Sequence, residues 1–203
     1  MSFSTDEDKV SYGLGFNAGR QLLGNPFPGL NVKAAVEGVA DALAKQDLQV
    51  PEDELQQAFA VINEKMNAAA EQAGSANKEA GDAFLAENAK RDGVTVLDSG
   101  LQYEVITSGD GATPAATSIV STHYHGTLID GTVFDSSVER GQPAEFPVNG
   151  VIKGWTEALQ LMNVGTKWKL FVPPELAYGS QGAGGDIGPN CTLVFEVELL
   201  AVK

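Results

Sequence analysis

Cysteine, histidine and long apolar runs are almost absent from this sequence. A single cysteine, Cys191, excludes an intramolecular disulfide and is compatible with a reducing compartment. The 203 residues include only two histidines, and they contain no run of about 18 apolar residues that would cross a membrane. The N-terminus has neither the positive nor the apolar segment of a secretory signal, so we expect a soluble, cytoplasmic protein.

Positive charge is also scarce. The chain has 13 Lys and Arg against 27 Asp and Glu, a formal net charge of −14 at pH 7. Acidic residues predominate both before and after residue 93, so the chain has no basic half and no acidic tail. This distribution argues against nucleic acid or an anionic membrane as a partner, and solubility is the simplest reason for the charge.

Proline divides the chain into two parts. Residues 1–93 hold three prolines, all at or before Pro51, and long stretches rich in Ala, Gln and Glu. Residues 94–203 hold the other six prolines and most of the aromatic residues. This shift predicts an all-helical domain over 1–93 followed by a β-rich domain over 94–203.

The first two helices are predicted from capping residues and apolar spacing. Ser4 and Glu7 have the spacing of a capping box, which predicts a helix that begins there. Asn31 is a good N-cap for a second helix over about 32–45. That helix carries one apolar face, formed by Val32, Val36, Val39 and Leu43.

The third predicted helix is long and connects the two domains. It begins at Pro51 and continues to about residue 91, with apolar residues at heptad spacing. After Met66 the apolar positions are all alanines, which bury little area. We therefore interpret the first half as packed in a bundle and the second half as a mostly solvated spacer that can bend at Gly74 and Gly81.

The helical domain has too few apolar residues for a core of its own. Two short helices and half of a long one leave an apolar face uncovered. Pairing with a second copy would cover that face, so we expect a homodimer through the N-terminal helices. The alternative is a monomer whose helical part folds back on the second domain.

The second domain shows the alternation of half-buried strands. Examples are Leu101-x-Tyr103-x-Val105 and Trp168-x-Leu170-x-Val172. One short helical pattern, Trp155 to Met162, interrupts the strands. An antiparallel sheet packed on one helix follows, so the fold class is α+β.

No signature of hydrolysis or of phosphate binding is present. Gly182 to Gly185 resembles a phosphate loop only in its glycines, since no lysine or helix follows. His123 and His125 lie on one side of a predicted strand and could bind a metal, but no third ligand is evident; hydrogen-bonded structural histidines are the simpler interpretation. We expect no metal and no cofactor.

The most informative residues are aromatic and aliphatic side chains near turns and the ends of elements. On pattern alone they form either an ordinary core or an apolar pocket. The set comprises Tyr124, Phe134, Phe146, Val151, Ile152, Trp155, Tyr178, Ile187 and Phe195.

Six stretches of the second domain together resemble the FKBP family of peptidyl-prolyl cis-trans isomerases. They are His123-Tyr-His-Gly126, Asp130-Gly-Thr-Val-Phe-Asp-Ser-Ser137, Val151-Ile-Lys-Gly-Trp155, Met162-Asn-Val-Gly165, Pro173-Pro-Glu-Leu-Ala-Tyr-Gly179 and Thr192-Leu-Val-Phe-Glu-Val-Glu-Leu-Leu200. The layout of the whole chain resembles the bacterial subclass that includes macrophage infectivity potentiator proteins, which form V-shaped dimers through the N-terminal domain.

The resemblance implies a fold and a site. An antiparallel sheet would wrap around one short helix, with the pocket between them. Trp155 would be the floor, Tyr124, Phe146 and Phe195 the walls, and Val151, Ile152 and Ile187 would complete the pocket. Phe134 belongs to the same set of family positions. The Ile152 N–H and the Tyr178 hydroxyl would bind substrate carbonyls, and the Asp135 carboxylate would face the substrate amide or serve only as a structural carboxylate.

The implied activity is isomerisation of Xaa-Pro bonds in folding polypeptides, without a covalent intermediate. A dimeric chaperone whose pocket only captures chains is the competing hypothesis, and the two can coexist. The family also implies inhibition by macrolides such as tacrolimus and rapamycin. Three positions depart from the best-known members and bear on that affinity: Ala144 replaces a wall aromatic, Ala183 a loop histidine and Asp186 an apolar loop residue.

Overall fold

The computed structural model describes residues 3–24 and 27–203. They form two compact units, one up to Ala69 and one from Ala70 to Lys203. The division falls inside the longest helix, whereas the sequence predicts a domain boundary at residue 93. Among the described residues, no helix combines the length and the apolar character needed to span a membrane.

The first unit contains α1 (Asp6–Gly24), α2 (Val32–Leu43) and the first half of α3 (Glu52–Asn88). The predicted Asn31 cap is confirmed, because its Oδ1 accepts hydrogen bonds from the N–H groups of Lys33 and Ala34 at 3.1 and 3.2 Å. The cap of α1 is one residue later than predicted. Thr5 Oγ1, rather than Ser4, accepts the hydrogen bond from the Asp8 N–H, at 3.1 Å.

Neither α1 nor α2 buries a residue in the single chain. The predicted apolar face of α2 is turned to solvent: Val36 is 63% exposed and Leu43 is 81% exposed. Ala34, Gly38 and Ala42 on the same helix instead line a cavity shared with Leu48 and Leu55.

The second half of α3 belongs to the second unit and packs against the rest of it, so the solvated spacer predicted from its alanines is wrong. Gly74, Gly81 and Asn88 are buried. The glycines do not mark bends. They lie where the helix approaches the rest of the unit, because a Cβ on Gly81 would lie 2.4 Å from Thr192 Oγ1.

A seven-stranded antiparallel sheet forms the rest of the second unit. Its strands are β1 (Val94–Val96), β2 (Gln102–Thr107), β3 (Ile119–Leu128), β4 (Val133–Ser136), β5 (Ala144–Pro147), β6 (Lys167–Val172) and β7 (Leu193–Val202). The order is β1-β2-β6-β7-β3-β4, and β5 also pairs with β3. The predicted α+β class is confirmed.

The sheet has buried residues on both of its faces. One face carries Trp168, Leu170 and Val172 into a core shared with the short helix α4 (Lys153–Leu159). On the other face, Phe171 is 2% exposed and lies against Phe84 of α3, with ring centroids 6.0 Å apart. The second half of α3 therefore covers part of the face of the sheet opposite α4, around Phe171.

Candidate active site

A cavity of about 640 Å³ opens between α4 and the sheet. All ten residues predicted from the family resemblance line it. They are Tyr124, Phe134, Asp135, Phe146, Val151, Ile152, Trp155, Tyr178, Ile187 and Phe195. Apolar cavities of this size with a few polar groups are typical of small-ligand and peptide sites.

Trp155 forms the floor of the cavity and is 3% exposed. Its ring meets Tyr124, Phe146 and Phe195 edge to face, with centroids 5.3, 5.5 and 5.2 Å away. Edge-to-face contacts fix ring orientation more firmly than area burial alone. The floor and walls therefore form one rigid aromatic unit.

Local chain geometry places Trp155 at the start of α4. A 3₁₀ turn at Val148–Gly150 precedes the helix, and Thr156 Oγ1 donates to the Val148 carbonyl at 2.7 Å. Gly154 allows the helix to lie close to β6, because a Cβ there would lie 2.7 Å from Val172 Cγ1. The close approach puts the indole directly beneath the cavity.

A polar network occupies one edge of the cavity. The Tyr124 hydroxyl on β3 donates a hydrogen bond to Asp135 on β4, and the Arg140 guanidinium forms an ion pair with the same carboxylate. Arg140 Nη2 also donates to the Tyr124 hydroxyl oxygen at 2.9 Å and lies over the tyrosine ring.

This network shifts two pKa values. Burial acts to raise the pKa of Asp135, but hydrogen bonds from Tyr124 and Arg140 and the arginine charge outweigh it and lower the pKa. Burial, reinforced by the neighbouring carboxylate, raises the pKa of Tyr124. At neutral pH the edge therefore presents an ionised, already paired Asp135 and a neutral Tyr124.

Two further lining residues supply hydrogen-bond donors to the cavity. Ile152 is the residue that caps α4, and no acceptor in the described part of the chain takes its backbone N–H. Tyr178 lines the rim and is 40% exposed. Both groups are free to meet a ligand.

A loop closes the remaining side. Ala183 and Ile187 exchange two backbone hydrogen bonds of 2.9 and 3.2 Å, which fold the loop back on itself. Ile187 is 8% exposed and joins the core, whereas Asp186 is exposed at the rim. Ala183 also lines the cavity.

Sequence reasoning missed Arg140. It follows Asp135 by five residues in the turn after β4, and nothing in an exposed arginine beside Glu139 marks it as part of a site. The signal that could have indicated Arg140 is the serine pair after Asp135, which is typical of a turn. Ser136 and Ser137 begin the turn, and the Ser136 carbonyl accepts a hydrogen bond from the Arg140 N–H at 3.3 Å, which brings the side chain back toward the carboxylate.

The histidines and the cysteine lie outside the cavity. His123 Nδ1 and His125 Nδ1 lie 3.1 and 3.0 Å from the hydroxyls of Ser137 and Ser136, as hydrogen-bonded structural histidines do. Burial raises the pKa of the Cys191 thiol and so opposes thiolate formation. Over residues 3–24 and 27–203, no group of three or more His, Cys, Asp or Glu is placed to hold a metal.

Comparison with known proteins decides the family. The model of the family described as FKBP-type peptidyl-prolyl cis-trans isomerase matches residues 111–200, and that of the domain amino-terminal to it matches residues 7–105. The FKBP-type 22 kDa peptidyl-prolyl cis-trans isomerase of Escherichia coli is 53% identical over 201 residues, which span 99% of this chain and 98% of that protein. The chain belongs to the FKBP-type peptidyl-prolyl cis-trans isomerases.

Other members of this isomerase family share the whole layout. The Legionella longbeachae protein named outer membrane protein MIP is 43% identical over 206 residues, covering 100% of this chain and 88% of that one. The crystal structure of FkpA from Escherichia coli matches with a TM-score of 0.70 and 39% identity, over 100% of this chain and 99% of that one. The predicted subclass of FKBP isomerases, with a helical N-terminal domain, is confirmed.

Two other expectations stay predictions. The cytoplasmic location expected from the N-terminus is one of them, because these similarities do not test where the protein is found. One of the relatives is named an outer membrane protein. The homodimer is likewise a prediction for this chain. As an FKBP-type isomerase, it acts on proline-containing polypeptides.

Proposed function

We propose that the cavity accelerates Xaa-Pro isomerisation by stabilising the twisted amide without covalent chemistry. Rotation about a peptide bond costs about 18–20 kcal/mol, because amide resonance is lost. The uncatalysed Xaa-Pro exchange takes roughly tens to hundreds of seconds. The twisted amide has less charge separation than the planar one, so transfer from water to an apolar cavity favours it.

The aromatic floor carries this proposal. Trp155, Phe146 and Phe195 would enclose the prolyl ring, while Val151 and Phe134 line the same cavity. A rigid aromatic unit keeps its shape while the amide turns, so binding energy goes to the twisted state rather than to rearrangement of the enzyme.

The donors at the rim would hold the chain on either side of the proline. The Ile152 N–H and the Tyr178 hydroxyl would bind substrate carbonyls, which leaves the amide between them to rotate. Asp135 would act as a fixed charge at the edge of the cavity. Its pairing with Arg140 makes it a poor proton donor, so we assign it no acid–base step.

The chain's only two tryptophans provide the decisive test. Trp155→Phe truncates the floor, and Trp168→Phe truncates a tryptophan that stacks on Tyr103 at 3.9 Å, away from the cavity. We expect Trp155→Phe to lower kcat/KM for a Phe-Pro peptide by about two- to ten-fold, the range given by the loss of one or two aromatic contacts. NMR exchange spectroscopy measures this rate. Equal effects of the two changes, or none from Trp155→Phe, contradict the proposal.

Rapamycin supplies a second readout of the same cavity. The drug should block the exchange of wild type, and Trp155→Phe should weaken its binding while Trp168→Phe leaves it unchanged. If the enzyme still accelerates peptide exchange at saturating rapamycin, the reaction takes place outside this cavity.

We propose further that the enzyme works as a homodimeric chaperone-like clamp. The observation that favours this is the exposed apolar face of α2, which a second copy would cover. Two cavities on one dimer would gain effective concentration toward a single unfolded client, which short peptides cannot exploit. We place its action in the cytoplasm as part of the same proposal.

A further inference from the structure

The wall of the cavity that carries Ile187 is a glycine-rich loop. Residues 182–190 contain four glycines and no helix or strand of their own. Apart from the Ala183–Ile187 pair, nothing inside the loop fixes its path. Glycine adds backbone freedom, so a loop of this composition needs external contacts to present a fixed wall.

Those contacts come from the second half of α3. Asn77 Nδ2 donates a hydrogen bond to the Pro189 carbonyl at 2.9 Å, and Asn190 Nδ2 donates to the Gly74 carbonyl at 3.3 Å. All four residues belong to the unit that begins at Ala70. Gly74 makes the contact possible, since a Cβ there would lie 3.1 Å from both Pro189 Cβ and Asn190 Nδ2.

Asn190 extends the anchor to a second segment of the cavity lining, the one that carries Tyr178. Its backbone N–H donates to the Gly179 carbonyl at 2.8 Å, directly after Tyr178. Its φ of +54° lies in the left-handed region, which asparagine tolerates better than most residues. The anchored segment thus lies between Ile187 and Tyr178, two members of the cavity lining.

We propose that Asn77 is a positioning residue for the proline-binding cavity. By fixing Pro189 and Asn190, α3 sets how far Ile187 and Tyr178 reach toward the substrate. This inference rests on the proposed function, in which those two side chains contact the substrate.

The position of Asn77 predicts which kinetic constant changes. Without its donor, the loop occupies the binding-competent position for a smaller fraction of the time, and apparent affinity falls by that fraction. Phe146 and Phe195 each pack on Trp155, and none of the three forms the hydrogen bonds of the loop anchor, so we expect the rate of rotation within the bound complex to be preserved.

The chain offers a matched control. Asn88 is a second asparagine in the same half of α3, is 4% exposed, and donates from Nδ2 to Gln102 Oε1 on β2 at 2.8 Å. It holds the helix on the sheet but does not contact the loop. Asn77→Ala and Asn88→Ala each remove an asparagine contact made by α3. Asn88 also accepts a hydrogen bond from Arg91 Nη1 at 2.8 Å, and only Asn77 contacts the cavity wall.

The experiment measures peptide exchange and the Ile187 methyl resonances in the full chain. Asn77→Ala should raise KM for the Phe-Pro peptide by about three- to ten-fold, the factor expected from one lost hydrogen bond, with kcat changed less than about two-fold. It should also shift the Ile187 methyl signals. Asn88→Ala should lower the unfolding midpoint and leave KM and those signals unchanged.

Further variants separate the possible failures. Asn77→Asp keeps the shape and removes the donor, so it should reproduce the KM effect even if Asn77→Ala folds poorly. If Ile187→Ala raises KM and neither Asn77 change does, positioning by α3 is wrong and the cavity assignment stands. If the Asn77 and Asn88 changes raise KM equally, the effect is general helix docking and the inference is overturned. If Ile187→Ala leaves KM unchanged, the cavity assignment fails and this inference fails with it.

Discussion

Asp135 on β4 accepts a hydrogen bond from the Tyr124 hydroxyl on β3, and Arg140 contacts both residues. The carboxylate therefore reaches the edge of the cavity with its charge already balanced. In the proposed mechanism Asp135 would have an electrostatic role, and removal of its charge has a defined pH signature.

Asp135→Asn should separate stability from activity. The side chain is partly exposed, so the lost ion pair should lower the free energy of unfolding by only about 0.2–1 kcal/mol. Because the folded pKa is lowered, this contribution is complete above the ordinary value of 3.8 and is lost as pH falls through the lower folded value. Thermal unfolding of wild type and variant from pH 7 to pH 2 should show a constant gap that closes only below about pH 4.

The control for Asp135→Asn is Glu196→Gln. Glu196 pairs with Lys167 at 2.9 Å with similar exposure, does not line the cavity because it lies on the face of β7 opposite Phe195, and the lysine hydrogen bond lowers its pKa. Both changes should have similar effects on stability, and only Asp135→Asn should lower kcat/KM, by about three- to ten-fold. Equal catalytic loss in both would remove Asp135 from the site.

Gly126→Ala should disturb two cavity aromatics at once. A Cβ on Gly126 would lie 2.7 Å from the Phe134 ring and 2.9 Å from the Phe195 ring. Overpacking of this kind costs about 1–3 kcal/mol of stability. We expect that loss in urea unfolding together with a lower kcat/KM. Gly185→Ala, where a Cβ would meet nothing within 4 Å, should leave stability in urea unchanged.

Val36→Asp tests the clamp. It places a charge on the exposed apolar face of α2 and should convert the full chain from dimer to monomer in sedimentation equilibrium. Exchange of a short peptide should be preserved, whereas refolding of a proline-limited protein substrate should slow. Lys33→Asp puts the same side chain in the first turn of α2, where a negative charge is favourable, and should leave the dimer intact. A monomeric wild type, or a monomeric variant that refolds the protein equally well, contradicts the clamp.

Thr192→Val should stabilise the enzyme. Thr192 is 3% exposed, and its hydroxyl has no hydrogen-bond partner among the residues that the structure describes. An isosteric methyl removes that unpaired group and should add about 1 kcal/mol to the free energy of unfolding. Thr166→Val is the matched opposite, because Thr166 Oγ1 accepts the Gly109 N–H at 3.0 Å and its loss should cost about 1–3 kcal/mol. Chemical denaturation of both variants checks the two signs.

The cavity could be predicted from sequence because its residues occur in short motifs. Trp155, for example, follows Val151 and Ile152 within one turn, so recognising the motif supplies the floor and the rim together. Arg140 was missed because its role depends on the return of a turn, which spacing alone does not reveal. The prediction that the second half of α3 is a solvated spacer was wrong for a different reason. Gly74 and Gly81 are buried by Pro189, Asn190 and Thr192, which are more than a hundred residues away in sequence, and a pattern of alanines and glycines cannot show a partner so distant.

Because α3 packs on the sheet, a truncated form of this enzyme that keeps the isomerase unit intact has to begin within α3. The catalytic part that could be transplanted to another protein, or exchanged between relatives by recombination, begins at Ala70 rather than at Val94. A fragment that starts at Val94 would expose Phe171 and leave the Gln102 side chain without Asn88. The second half of α3, which the sequence suggests is a linker, therefore belongs to the catalytic unit. Any transfer of the isomerase to another protein has to include it.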